Sequence, residues 1–481
     1  MRHLSRMGTL CLLAALVSPV SLAAAEEPDA PPEPAPTALS LTATRAYAGT
    51  DTTITVSVLT DAEEPVGEAP VTIERRVGGE WRVVTDTVTG EDGTVEVERT
   101  LFRSSDDNRF RASYDGDEAH AASTSGAVVA ALARREGVVR LSGPTTVVDG
   151  RRVTMRVLSR TRSGETVRGD VRVLRRLDGT GKGKGRTRGK AWREVRTLAT
   201  GGKGKARITV RPRVDTRWRV VSPGQEWVSR DRSEVLRIDN LPPVAPVRLP
   251  KAAPSPRVHV PQQRRGTGKG AHPVVTGIPD GVWGSMTGRS WHAGCPVGRA
   301  GLRLLRINYW GYDGYRHRGE IVASVGAMPT MRRALVGMFK AELPIRSMYR
   351  VDRFGWSARL QGADDYRSMA AGNTSAFNCR QVVNRPGVRS PHSYGRSLDV
   401  NTWENPYRSP TGLVPNAWWQ SHSHPRVAWR SRDHRVVQIL TRAGFRWTYG
   451  NGDTQHFDVG GGHGRAMAAL RARRCGGVAC D

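Results

Sequence analysis

The sequence predicts a multidomain chain, two all-β sandwiches followed by an α+β domain, and three observations carry that expectation. From Thr37 to about Leu132, short stretches alternate polar and apolar residues, with Gly, Asp and Asn between them and no helical stretch. The same pattern recurs about 100 residues later. A proline-rich segment then gives way to a region where Trp, Tyr and His concentrate and helical and strand patterns mix. A chain of 481 residues has room for about three domains of ordinary size.

The N-terminal residues read as an export signal. Arg2 and Arg6 precede an apolar run from Leu10 to Leu22, and Ala23, Ala24 and Ala25 follow. That is the order of basic region, hydrophobic region and small-residue cleavage site. Cleavage after Ala25 leaves a chain starting at Glu26. The apolar run is short for a membrane span and no second one follows, so no span is expected after cleavage. Residues 26–36, EEPDAPPEPAP, form an acidic proline-rich linker.

Residues 37–135 carry strand patterns such as Thr52-Thr-Ile-Thr-Val-Ser-Val58 and Val71-Thr-Ile-Glu74, which read as an immunoglobulin-like sandwich. Residues 136–240 repeat it with a more basic composition. Val71-Thr-Ile-Glu-Arg-Arg76 matches Val171-Arg-Val-Leu-Arg-Arg176, Trp81 to Val84 matches Trp192 to Val195, and Arg109-Phe-Arg111 matches Arg217-Trp-Arg219. A glycine- and lysine-rich insert, Gly181 to Lys190, lengthens the second copy where a hairpin loop is expected. Residues 241–275, with prolines at 242, 243, 246, 250, 254, 256 and 261 and cations at Arg264, Arg265 and Lys269, read as a semi-rigid basic linker.

The formal net charge of +29 bears on partners rather than on fold. No nucleic-acid-binding module accompanies it, so nucleic acid is not expected as the partner. Outside a cell the abundant polyanions are wall polymers, and the second sandwich and its linker are placed to meet them. Export also makes Cys295, Cys379, Cys475 and Cys480 candidates for disulfides. Four cysteines permit three pairings. The closeness of the last two favours Cys295 with Cys379 and Cys475 with Cys480.

In the final domain, residues 276–481, amphipathic helices are expected at 331–343 and at 430–443, the second ended by Gly444. Strands are expected at 302–310, 345–351 and 445–449. Two segments stand out: Ser390-Pro-His392-Ser-Tyr-Gly395-Arg-Ser-Leu-Asp399-Val-Asn401 and Gly452-Asp453-Thr-Gln-His456-Phe-Asp458. Zinc hydrolases need three N or O ligands and one open position. Two histidines and a carboxylate supply them and leave the ion positive enough to acidify water and polarise a carbonyl. A further carboxylate must stand by as base. His392, Asp399 and His456 suit the ligands, and Asp453 the base. On an unbroken strand His392 and Asp399 would face opposite sides, so Gly395 has to break the phase.

Ser-x-His-x-x-Gly-x-x-x-Asp followed by Asp-x-x-His-Phe resembles the VanY-type D-alanyl-D-alanine carboxypeptidase family of zinc peptidases, which includes phage endolysins that cut between L-Ala and D-Glu. Asn373-Thr-Ser-Ala-Phe-Asn-Cys-Arg380 and Asn405-Pro-Tyr407 resemble further blocks of one extracellular branch. The resemblance implies a hedgehog/DD-peptidase fold, zinc on His392, Asp399 and His456, and Asp453 as general base. It also implies an arginine that steadies the oxyanion: Arg380, or alternatively Arg350. The chain departs from the family in two places. Asp453 stands where many members have Glu, and Ser397 where many have Ala. His422 and His424 offer a weaker second pair, and Trp418 and Trp419 a candidate groove wall.

These readings together describe a secreted or wall-associated zinc peptidase acting on peptidoglycan peptides. The alternative is a wall-binding protein that recognises those peptides without cutting them.

Overall fold

The computed structural model describes residues 33–178 and 191–460. The signal segment, the insert after residue 180, Cys475 and Cys480 lie outside the described residues. The described chain is mostly β, arranged in many small sheets with no closed barrel. No described helix is long and apolar enough to cross a membrane.

Alternation within the strands builds the first sandwich. In Asp51–Thr60 every second residue from Thr52 to Val58 is buried, and Pro70–Val77 begins in the same way. The two strands belong to different antiparallel sheets, and their inward residues Ile54, Val56, Val71 and Ile73 meet Phe110 and Tyr114 in one core. A second, separate core unites Val153, Met155, Val171, Val173 and Trp218.

The repeat read from the sequence falls on equivalent strands. Pro70–Val77 pairs with Glu80–Val88 and Arg109–Tyr114, and Gly169–Leu177 pairs with Arg193–Thr200 and Thr216–Ser222. The ladder irregularity recurs as well, between Ile73 and Glu74 and between Val173 and Leu174. So does a cation–π contact: Arg111 lies 4.5 Å from the Trp81 ring centroid, and Arg219 lies 4.3 Å from that of Trp192. A small apolar cluster of Ala48, Val167, Trp227 and Val228 joins the two sandwiches.

The last region is α+β. Leu302–Trp310 is a strand over the expected residues and pairs with Arg316–Ser324 and Val274–Thr276. The helix Met328–Lys340 buries Met328, Met331, Leu335 and Met338, spaced at three and four residues, so one stripe faces the sheet. It also packs on the helix Arg435–Ala443. Leu305, Ile321, Leu398, Phe457 and Leu440 complete the core.

Four expected elements differ. The helix expected at 331–343 begins and ends three residues earlier. The helix expected from 430 starts at Arg435, because the His434 ring accepts the Val436 N–H as its cap and Arg430 turns back onto the Trp419 and Gln420 carbonyls. It does end at Gly444, in the left-handed region at φ 108°. The strand expected at 345–351 does not form. Side chains take its backbone groups instead: Asn401 Oδ1 accepts from Arg346 N, Gln263 Oε1 from Met348 N and Asn373 Oδ1 from Tyr349 N. At 445–449 only Phe445–Arg446 pairs as a strand.

The prolyl segment ahead of this region lies against it. Trp403 Nε1 donates to Pro254 O at 2.7 Å, Gln263 Nε2 donates to Met348 O at 2.8 Å, and Ala271 is part of the core.

Candidate metal centre

Two short strands, Ser397–Asp399 and His456–Val459, run antiparallel with Asp399 opposite His456. Residues directly opposite each other on paired strands project to the same face of the sheet, so this register points both side chains to one side. His392 arrives differently. Pro391–Tyr394 is a 3-10 turn whose cap, Ser390 Oγ, accepts the His392 N–H. Gly395 then takes φ 64°, ψ 27°, and a Cβ there would lie 2.7 Å from Ser324 N. Both the left-handed backbone and the close approach require glycine. This is the phase break expected of Gly395, and it brings His392 to the same side as Asp399.

The three side chains are buried and meet in a triangle of residues, the two histidines each contacting a different oxygen of the Asp399 carboxylate. His392 Nε2 lies 3.1 Å from Asp399 Oδ2 and 3.1 Å from His456 Nδ1, and His456 Nδ1 lies 3.1 Å from Asp399 Oδ1. A tetrahedral ion with ligand bonds of about 2.0–2.1 Å holds its donors about 3.3 Å apart, so two histidine nitrogens 3.1 Å apart, each 3.1 Å from an oxygen of the same carboxylate, fit zinc. The outward nitrogens are also engaged. His392 Nδ1 lies 2.6 Å from Ala376 O, and His456 Nε2 lies 3.0 Å from Asp458 Oδ1.

The electrostatics follow from that packing. Burial alone would raise the Asp399 pKa, but the His392 and His456 imidazoles outweigh it and hold the carboxyl well below its usual range. Burial likewise works against charge on His456, and the Asp458 and Asp399 carboxylates outweigh it and raise its pKa well above the ordinary value.

The cavity over the triangle is also lined by Asp453, Arg380, Asp365 and Tyr407. Asp453 is buried and its backbone bridges Tyr407. Arg380 Nη2 lies 2.6 Å from Asp365 Oδ2, and its Nη1 donates to Gln381 O at 2.9 Å. Its Nε–H has no hydrogen-bond partner among the described residues. Burial raises the Asp365 pKa, and Arg380 opposes the rise. Arg350 lies elsewhere, paired with Glu320 at 3.3 Å and Asp352 at 3.2 Å, and does not line this cavity.

The lesser candidates stand apart from the triangle. His422 stacks on Trp418 at 3.7 Å, and His424 Nε2 donates to Arg248 O at 3.2 Å. Trp419 is fully buried with Trp403 and Ala428. Cys295 and Cys379 form a disulfide, which also removes their sulfurs as ligands beside His292. Asp365 and Asp458 were not singled out in the sequence. Asp458 was findable, since it follows His456 by two on a strand. Asp365 has no spacing relation to Arg380 that would reveal it.

The fold and site together define a mostly β chain carrying a buried His/Asp/His group able to hold a metal ion. Residues 384–459 match the model of a family described as D-alanyl-D-alanine carboxypeptidase, which supports a peptidase domain over this stretch. The match contains His392, Asp399, Asp453 and His456 and begins after Arg380. No curated protein matches the chain. Among solved structures it is similar to the Yersinia pseudotuberculosis adhesin InvE, at 13% identity and TM-score 0.26, over 43% of this chain and 58% of that one. It is similar also to a tandem repeat from the extending region of a large adhesion protein, at 10% identity and TM-score 0.29, over 60% of this chain and 74% of that one. The Escherichia coli adhesin FdeC is similar at 11% identity and TM-score 0.20, over 56% and 72%. Superpositions this loose carry no inference about the present chain.

Proposed function

We propose that the chain is an exported zinc peptidase that hydrolyses peptide bonds of bacterial peptidoglycan, of D-Ala-D-Ala carboxypeptidase or L-Ala-D-Glu endopeptidase type. The observation that carries the reading is the buried donor cluster of His392, Asp399 and His456, with the two nitrogens 3.1 Å apart and each 3.1 Å from a carboxylate oxygen, within a stretch that matches a peptidase family. Zinc, when bound, supplies a Lewis acid that activates water and polarises the scissile carbonyl. Asp453, on the wall of the same cavity, accepts the proton of the attacking water and returns it to the leaving amine. Arg380 is held by Asp365 and Gln381 with its Nε–H uncommitted, and donates to the carbonyl oxygen as negative charge grows there. In this reading residues 1–25 are a cleaved signal, and 37–135 and 136–240 are immunoglobulin-like sandwiches that space the enzyme or tether it to wall polymer. The enzyme is residues 276–481.

Mass spectrometry of purified peptidoglycan fragments tests this directly. Zinc-loaded protein should release either a terminal D-Ala or a split stem peptide, and chelator-stripped protein should release neither. Fragments that bind but keep their mass would make the chain a wall-binding protein instead.

A further inference from the structure

His456 has two ring nitrogens, and only Nδ1 faces the donor triangle. Nε2 points away, 3.0 Å from Asp458 Oδ1. Asp458 is itself fixed on two sides: Ser397 Oγ donates to its Oδ1 at 2.6 Å, and Thr448 Oγ1 donates to its Oδ2 at 2.8 Å. The strand register explains the arrangement. Ser397 sits opposite Asp458 as Asp399 sits opposite His456, so one face of two strands carries ligand, ligand, carboxylate and hydroxyl in a block. Asp458 does not line the cavity over the triangle, and nothing about cleavage requires it there.

We propose that Asp458 is the positioning residue of the metal centre. It keeps the His456 proton on Nε2, so the Nδ1 lone pair is the one offered to a divalent cation, and it fixes the plane of the ring. This inference rests on the reading of His392, Asp399 and His456 as zinc ligands. The two histidines are served by different acceptors. His392 has the neutral carbonyl of Ala376 on its outward nitrogen, whereas His456 has a carboxylate. A carboxylate partner raises the basicity of the ligating imidazole, and partners of this kind are typically worth about 10–100-fold in metal affinity. The arrangement also gives a purpose to the hydroxyl at Ser397. An alanine there would leave Asp458 Oδ1 with the His456 contact alone and the carboxylate freer to rotate.

The test measures zinc affinity rather than turnover. Full-length protein, stripped of metal, is titrated with zinc against a chromogenic chelator, and the metal-free melting temperature is recorded beside it. Asp458→Asn keeps the size and an acceptor oxygen but loses the charge. It should bind zinc about 10–100-fold more weakly. Its metal-free melting temperature, lower than wild type because His456 loses a buried carboxylate partner, need only stay above the titration temperature. Ser397→Ala should weaken zinc binding by a smaller factor in the same direction. An Asp458→Asn protein that binds zinc as tightly as wild type overturns the proposal. Should that variant fail to fold, Ser397→Ala carries the test, and wild-type affinity there overturns it. Failure of the underlying site looks different: wild type and His456→Ala would then take up zinc equally poorly.

Discussion

Asp399 and His456 are separated by 57 residues in sequence and stand directly opposite each other on adjacent strands, with Asp399 Oδ1 3.1 Å from His456 Nδ1. That register makes one site of two motifs. A slip of one residue would turn one of the two side chains to the opposite face, and Leu398 and Phe457, both fully buried on that face, hold the register against it.

Ligand and base should therefore fail differently. His456→Ala leaves two donors, too few to fix an ion in an open tetrahedral site, and should lose both zinc and activity. Asp453→Asn is nearly isosteric and leaves the triangle intact. It should keep about one zinc per chain and lose about 10²–10⁴ in rate. Zinc content measured beside turnover of a muramyl-type peptide separates the two roles. A zinc-filled Asp453→Asn protein as fast as wild type would remove Asp453 from the mechanism.

Arg380 and Asp365 form a buried pair, so Arg380→Ala alone should both slow the enzyme and destabilise it. Removing one partner of a buried pair typically costs about 3–5 kcal/mol. The double variant Arg380→Ala with Asp365→Ala removes both charges and should recover much of the melting temperature. It should not recover turnover, because an oxyanion donor is typically worth about 10²–10³ in rate. Recovery of turnover in the double variant would make Arg380 purely structural.

What was legible in the sequence was chemistry at short range. His392, Gly395 and Asp399 stand within eight residues of one another, and their residue types announce the turn and the donors. The strand Leu302–Trp310 was legible from its apolar run, and the tandem repeat from its matched tryptophans and arginines. The strand expected at 345–351 failed because Gln263, Asn373 and Asn401 supply its hydrogen bonds from 24 to 85 residues away, and no local pattern encodes that. Asp365 was missed for the same reason: only the fold brings it to Arg380.

The packing of the prolyl segment sets a limit on truncation. Gln263 joins Met348 through two hydrogen bonds, its Oε1 accepting the Met348 N–H and its Nε2 donating to Met348 O, and the Oε1 also accepts from the Tyr309 hydroxyl at 2.6 Å. A fragment of residues 276–481 loses these bonds, the buried Ala271 and part of the strand Val274–Thr276. A fragment starting at residue 241 keeps them. Both should fold under oxidising conditions, with the longer one melting several degrees higher. Equal melting temperatures would show that residues 241–275 contribute nothing to the domain.

Acid should weaken the helix Arg435–Ala443 through its cap. His434 Nδ1 accepts the Val436 N–H at 3.2 Å while its Nε2 donates to His424 O at 3.1 Å, so the ring is neutral and both nitrogens are engaged. Burial lowers its pKa below the ordinary value, and the hydrogen bond to the His424 carbonyl only partly opposes this. A proton on Nδ1 would set N–H against N–H and remove the cap. The unfolded chain takes up that proton near the ordinary value of about 6.5, and the folded chain only at lower pH. Between the two values the unfolded state binds more protons, so stability falls as the solution is acidified. The contribution is fully present above the ordinary value and is lost as pH drops towards the folded one. Asn caps a helix well and does not titrate here. Metal-free His434→Asn should therefore lose less melting temperature than metal-free wild type between about pH 7.5 and 5, a window that spans the ordinary histidine value. The difference between the two slopes isolates His434 from His424, whose pKa burial also lowers and which is present in both proteins. Identical slopes would mean that the cap keeps its acceptor throughout, and that the acid sensitivity of the domain lies elsewhere.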